Sequence, residues 1–286
     1  MGLGAPVWGA AGQQELRRRV RLVVAYLGTG FHGFARQRGV PTVAGALTEA
    51  LEKVLRHPVE LVCAGRTDAG VHAWGQVVSF DAAIGVDLAR AQRSVNAMLA
   101  PRIVVREAAW AHPSFDARRS ALSRTYRYSI SCAEWPEPFC AATTWYVGAA
   151  LDLRAMQASC DPILGEHDFS SFCRSAGKPA GSMLRRVLAA DWADLGCGRL
   201  RFEVRASSFC QQMVRSLVGT MVQVGTGRLR AGEMSAVLAA KDRAAAGPVA
   251  PAHGLCLWEV EYPGTADGPP PGRGGVSGPG AAPEAL

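Results

Sequence analysis

The densest chemistry in the chain lies in Cys63-Ala64-Gly65-Arg66-Thr67-Asp68-Ala69-Gly70-Val71-His72-Ala73. A guanidinium, a carboxylate and an imidazole sit here within a few residues, two of them between glycines. Gly65 and Gly70 permit backbone angles and close approaches that other residues resist, so the segment reads as a tight turn between strands. A hairpin needs no such combination. Asp is also an ordinary turn residue, and that habit alone would account for Asp68. A carboxylate held in such a turn could equally serve as nucleophile or base.

Two other segments carry the matching chemistry. Phe115-Asp116-Ala117-Arg118, followed by Arg124-Thr125-Tyr126-Arg127-Tyr128, interleaves basic and aromatic side chains. Tyrosine faces stack on bases and arginines pair with phosphates. An amphipathic strand with core tyrosines shows the same pattern, and for Tyr128 that is the simpler account. The run Ala206 to Arg215 then joins a strand to an apolar helix, with Arg215 beside Leu217, Val218, Met221 and Val222. A charge there is costly unless paired. Arg215 either finds a carboxylate, for which Asp68 is a candidate, or snorkels to water from the helix edge.

Elements must hold these residues in place. In the first half, Val20 to Leu27 is a strand and Thr42 caps a helix running through Leu55. Val59 to Ala64 and Gln76 to Phe80 are strands, Val86 to Leu99 is a helix ended by Pro101, and Ile103 to Ala109 is a strand. The second half repeats the order: strand Thr125 to Ile130, helix Leu153 to Leu164, strands Leu184 to Trp192 and Leu200 to Ala206. Helix Met213 to Val224, a short helix around Leu238 and a closing strand Leu255 to Val260 complete it. Residues 132–151, with Pro136 and Pro138, read as an irregular linker. The order β-α-β-β-α-β, twice over, predicts an α+β fold of two tandem ferredoxin-like units. Their antiparallel sheets would join edge to edge around a central cleft. The first unit would cover 18–113 and the second 114–263. Residues 1–17 and 264–286, rich in Gly, Ala and Pro, read as disordered tails.

Composition narrows the partners. With 286 residues and 49% apolar content, the chain can bury a substantial core. Its formal net charge is +7, which favours a polyanionic partner. The eight cysteines show no C-x-x-C pair and no zinc-finger spacing to histidine. They read as small apolar residues in a reduced, cytoplasmic protein. No run predicts a membrane span or a secretory signal.

Taken in order, these segments resemble the TruA-type tRNA pseudouridine synthases. The resemblance spans about residues 20 to 262. It rests on Tyr26-Leu27-Gly28-Thr29, Gly65 to Ala73, Phe115 to Arg118, Arg124 to Tyr128, Met213-Val214-Arg215, and Lys241-Asp242-Arg243 with His253-Gly254-Leu255. It implies an isomerase that converts uridine to pseudouridine at positions 38, 39 and 40 of the tRNA anticodon stem-loop, without a cofactor or metal, as a homodimer. It assigns Asp68 as the essential carboxylate, Tyr126 as the base-stacking ring, Arg215 as the partner of the carboxylate, and Arg66 as the residue that extrudes the target nucleotide. Arg118, Arg124, Arg127 and His72 join Arg66 and Tyr126 as expected substrate contacts, with Arg17 to Arg21 as further candidates for phosphates. The chain departs from the family at Leu27, at Phe34 and Ala35, and near Gln211. A non-catalytic RNA-binding module on the same fold is the alternative reading, and such a module would need no Asp68–Arg215 pair.

Overall fold

The computed structural model describes residues 16–174 and 182–264. The first half contributes β1 (Arg17–Tyr26), α1 (Val43–Leu55), β2 (Val62–Cys63), β3 (His72–Ala83), α2 (Leu88–Leu99) and β4 (Ile103–Trp110). The second contributes β5 (Ser123–Ser131), β6 (Trp145–Tyr146), α3 (Leu153–Ala158), β7 (Gly165–Asp168), β8 (Leu184–Asp194) and β9 (Arg199–Ala206). It ends with α4 (Met213–Gly225), α5 (Met234–Ala240) and β10 (Leu255–Glu261). Apart from Leu16, Arg17 and Gly264, the two expected tails lie outside the described residues. Arg17 to Arg21, whose first residue was assigned to a tail, form the start of β1.

Local chemistry explains the helix starts. The Thr42 hydroxyl accepts the Gly45 N–H at 3.2 Å, and the Asp87 carboxylate accepts the Arg90 N–H at 3.0 Å. Each cap satisfies a donor that the first helical turn leaves free. Helix α3 ends at Ala158, short of the expected Leu164, and a 3₁₀ turn at Asp161–Ile163 replaces its last turns. Pro162 lies in that turn, and its missing N–H and fixed φ do not continue an α-helix.

The halves meet edge to edge in one continuous sheet. Its strand order is β4-β1-β3-β10-β5-β9-β8-β7, with β2 added on β3 and β6 on β5. The last strand in sequence is therefore a central one. β10 runs antiparallel to β5 and parallel to β3, with Cys256 opposite His72 and Leu257 opposite Ala73. This seam explains a change of boundary: β3 begins at His72, four residues ahead of the expected Gln76, because β10 draws His72 and Ala73 into the ladder. The preceding strand shrinks from the expected Val59–Ala64 to Val62–Cys63. The expected linker at 132–151 holds the short strand β6, which pairs in parallel with β5.

Period-two alternation places the core. On β9, Leu200, Phe202, Val204 and Ala206 are buried while Arg201, Glu203 and Arg205 are not. On β5, Tyr126, Tyr128 and Ile130 take the buried side and Arg127 the opposite one. Helix α4 is buried on nearly every side. It also lies against the segment at Pro248: a Cβ built on Gly219 would fall 1.7 Å from the Pro248 carbonyl oxygen. Among the described residues, no helix is long and apolar enough to cross a membrane.

The seam has a similar requirement. A Cβ on Gly75 would lie 2.4 Å from the Trp258 carbonyl oxygen. Gly75→Ala is expected to force β3 and β10 apart and to cost about 1–3 kcal/mol, as overpacking typically does. Urea unfolding of the two proteins checks this, and equal stability would show that the seam gives way without cost.

Candidate active site

Asp68 sits in the loop that joins β2 to β3, and buried bonds fix that loop from beneath. The Tyr26 hydroxyl and the Thr67 hydroxyl lie 2.8 Å apart. Gln76, fully buried on β3, donates to the Gly65 carbonyl at 2.7 Å and to the Tyr26 hydroxyl at 3.4 Å. The Phe34 N–H donates to the Thr67 carbonyl at 3.1 Å, and the Val71 N–H closes the turn onto the Asp68 carbonyl at 3.1 Å. Burial, above all, pushes the Tyr26 hydroxyl pKa well up, so it stays protonated as a hydrogen-bonding group.

Close backbone approach also shapes the loop. Gly33, at φ +90°, leaves space for the Thr67 carbonyl oxygen, which would lie 2.7 Å from an added Cβ. An added Cβ on Gly28 would lie 2.1 Å from the Val71 carbonyl oxygen. The family departure at Phe34 has a structural place: its ring is buried against Tyr26, centroids 6.1 Å apart.

The second half supplies the partner. Arg215, third residue of α4, brings Nη1 to 3.6 Å from Asp68 Oδ2. Their side chains are 16% and 28% exposed, so the pair is partly open to solvent rather than sealed in the core. Arg215 does not snorkel away. Its Nε donates to the Ala250 carbonyl at 2.7 Å, while the Ala250 N–H donates to the Arg215 carbonyl at 3.0 Å. The close contact at Gly219 permits this clasp, because it lets the 248–250 segment lie on α4.

Tyr126 projects from β5 on the same side. It is 8% exposed, and Phe209 meets its ring edge-on with centroids 5.0 Å apart. Burial first, and then the charge of Asp68, raise the Tyr126 hydroxyl pKa well above its ordinary value. Asp68, Arg215 and Tyr126 thus form one cluster at the junction of the halves, while Arg66 points outward, exposed, from the same loop.

The other expected substrate contacts divide. Arg118 is exposed, on a turn held by the Asp116 carboxylate, which accepts the Arg118 and Arg119 N–H groups at 2.9 and 2.8 Å. Arg127 lies on the opposite face of the sheet, bonded to Glu203 at 2.6 Å and stacked over Trp258 at 3.7 Å. Strand alternation puts it there: a neighbour of Tyr126 cannot share its face. Arg124 lies on the same side as Tyr126, but its terminal nitrogens are taken up by backbone carbonyls. Arg19 and Arg21 pair with Asp81 and Glu107.

His72 is no surface contact. It is 2% exposed, and both ring nitrogens are engaged. Nδ1 accepts the Gly28 N–H at 2.9 Å, which leaves Nε2 to donate to the His253 carbonyl at 3.0 Å. The neutral ring thereby ties the β1 turn, the start of β3 and the segment before β10 together. Its pKa is lowered, chiefly by burial.

Sequence reasoning missed two features. The Tyr26–Thr67–Gln76 network joins residues distant in sequence, and only the motif around Thr67 hinted at it. Cys173 and Cys210, read as separate apolar residues, form a disulfide across 37 residues, beside Phe209. No spacing rule points to that pair.

Comparison with known proteins shows the family to which the chain belongs. A family model described as tRNA pseudouridine synthase matches residues 22–118 and 160–263. The tRNA pseudouridine synthase A of Methylobacterium nodulans is 44% identical over 246 residues, covering 86% of this chain and 96% of that protein. The protein of the same name from Shouchella clausii is 39% identical, covering 85% and 93%. That from Geobacter sulfurreducens is 38% identical, covering 86% of this chain and all of its own length.

His72 gives the site a pH limit. Because its folded pKa is lowered, the unfolded chain binds more protons once pH falls below about 6.5, the ordinary histidine value. The stability that neutral His72 contributes is complete above that value and is lost as pH falls through it. The slope from this group approaches at most about 1.4 kcal/mol per pH unit. Denaturant unfolding between pH 7.5 and 5.5 is expected to show a shallower slope in His72→Gln than in the unsubstituted protein. Identical slopes would assign the acid sensitivity elsewhere.

Proposed function

Because the chain belongs to the tRNA pseudouridine synthase family, we propose that Asp68 is its catalytic carboxylate and that its targets are uridines 38, 39 and 40 of the anticodon stem-loop. Its reaction is the isomerisation of uridine to pseudouridine in tRNA. The bond between ribose C1′ and uracil N1 breaks, the base turns, and C5 joins C1′. A proton leaves C5 and one is gained at N1, so composition and redox state are unchanged.

The observation that carries the assignment is the Asp68–Arg215 ion pair, a carboxylate from one half facing a guanidinium from the other at 3.6 Å. The turn is held from below, its carboxylate is partly open to solvent, and a tyrosine lies beside it. An RNA-binding module would need none of this. A uridine stacked in RNA must first leave its stack. Arg66, exposed on the same turn, fills the space the base vacates, and Tyr126 receives the uracil. Phe209 steadies the tyrosine ring edge-on. Asp68 then acts on the nucleoside, by attack at C1′, attack at C6 or removal of the C2′ proton. Each route needs the ionised carboxylate, and Arg215 lies against it at 3.6 Å.

The architecture fits two tandem ferredoxin-like units, about 18–113 and 114–263, fused along β3 and β10. The exposed Arg118 is the phosphate contact retained from the expected set. His72 acts as a positioning residue, and Arg127 belongs to the outer face of the sheet. The enzyme works as a cytoplasmic homodimer, with the tRNA spanning both subunits.

The test is mapping of pseudouridine in tRNA that lacks the modification. The enzyme is expected to modify positions 38–40. Asp68→Ala should abolish turnover while the Kd for tRNA stays within about threefold. Pseudouridine appearing at other positions would refute the target assignment. Near-normal turnover by Asp68→Ala would refute the catalytic one.

A further inference from the structure

The side chain of Arg124 reaches four backbone carbonyls. Nη1 donates to Ser207 at 2.8 Å and to Ala121 at 3.4 Å; Nη2 donates to Ala64 and to Arg118, each at 2.9 Å. These carbonyls come from three separate stretches. Ala64 begins the turn that carries Asp68. Arg118 and Ala121 belong to the turn that precedes β5. Ser207 follows β9, at the start of the segment leading through Phe209 to Arg215. One guanidinium therefore joins the Asp68 turn to the segment leading to Arg215, from the same strand that carries Tyr126 two residues on.

An arginine has five N–H donors, and here the four on its terminal nitrogens are committed to carbonyls. No two-pronged donor remains for a phosphate, and the side chain is half-buried. We infer that Arg124 is a positioning residue for the isomerisation: it sets the distance between the Asp68 turn and the segment that leads to Arg215. The Ala64 amide is tied to Val77 of β3 and the Ser207 amide to Arg186 of β8, each within its own half, and the Arg124 guanidinium joins the two stretches directly. Lysine cannot replace it, because one nitrogen with three donors cannot meet the four carbonyls that the guanidinium reaches from two nitrogens.

The inference rests on Asp68 being the reacting carboxylate, and its test separates the two claims. Arg124→Lys keeps the charge and the aliphatic stem. Single-turnover rates at saturating enzyme are expected to fall roughly 10- to 100-fold, as small misplacements of reacting groups do. The Kd for tRNA and its salt dependence should be unchanged. A phosphate contact would show the reverse once the charge is removed in Arg124→Gln: an intact rate with a weaker Kd and a salt slope shallower by about 1. That result, or a rate within twofold of the unsubstituted enzyme, overturns the inference.

Should Arg124→Lys fail to fold, hydrogen exchange on the unsubstituted enzyme decides. The four Nη protons of Arg124 are then expected to exchange slowly with solvent and the guanidinium to rotate slowly, because each proton is bonded to a carbonyl. Fast exchange with free rotation would overturn the clamp. Failure of the Asp68 reading looks different: Asp68→Ala would keep turnover, whatever Arg124→Lys does.

Discussion

Everything in this site depends on bringing a carboxylate from the first half of the chain to a guanidinium from the second. Asp68 and Arg215 are 147 residues apart, and their charges meet at 3.6 Å. A partly exposed pair of this kind contributes little to stability by itself. Its geometry is imposed by the sheet, whose last strand in sequence lies between the halves. β10 is hydrogen-bonded to β3 on one side and to β5 on the other, so the Asp68 turn and the Tyr126 strand flank a common neighbour. Gly75 at that seam, with no room for a side chain, shows how closely the halves approach.

Around this junction, polar side chains act mainly on backbone groups. Gln76 and Arg124 hold the Asp68 loop by its carbonyls, His72 bridges an N–H and a carbonyl, and Arg215 is clasped to Ala250. Loops without secondary structure must satisfy their backbone polar groups somewhere. Here the partners are the same residue types that a sequence reader assigns to substrate. The consequence is economy at the surface: among the arginines of the motifs, Arg66 and Arg118 are left exposed, and these two are the proposed contacts to RNA.

That division explains what was legible beforehand. The elements were readable where periodicity is strong. The alternation of Leu200, Phe202, Val204 and Ala206 and the apolar helix from Met213 both stand as expected. Asp68, Arg215 and Tyr126 were readable because each is costly or odd in its local setting, and the structure brings them together. The roles of Arg124, Arg127 and His72 were not. Whether an arginine meets a phosphate or a carbonyl depends on loops that fold over it, and strand pairing decided that Arg127 would face away. The start of β3 at His72 and the Cys173–Cys210 bond depend on contacts far apart in sequence, beyond the reach of local pattern.

The central claim is that Asp68, held against Arg215, performs the isomerisation. Release of tritium from tRNA carrying uridine labelled at C5 reports the new C5–C1′ bond, since forming it expels that hydrogen to water. Run as a single turnover with the enzyme and with Asp68→Asn, which keeps shape and removes charge, the assay is predicted to show release by the enzyme alone. Release by Asp68→Asn at a comparable rate would contradict the account and place the chemistry on another residue.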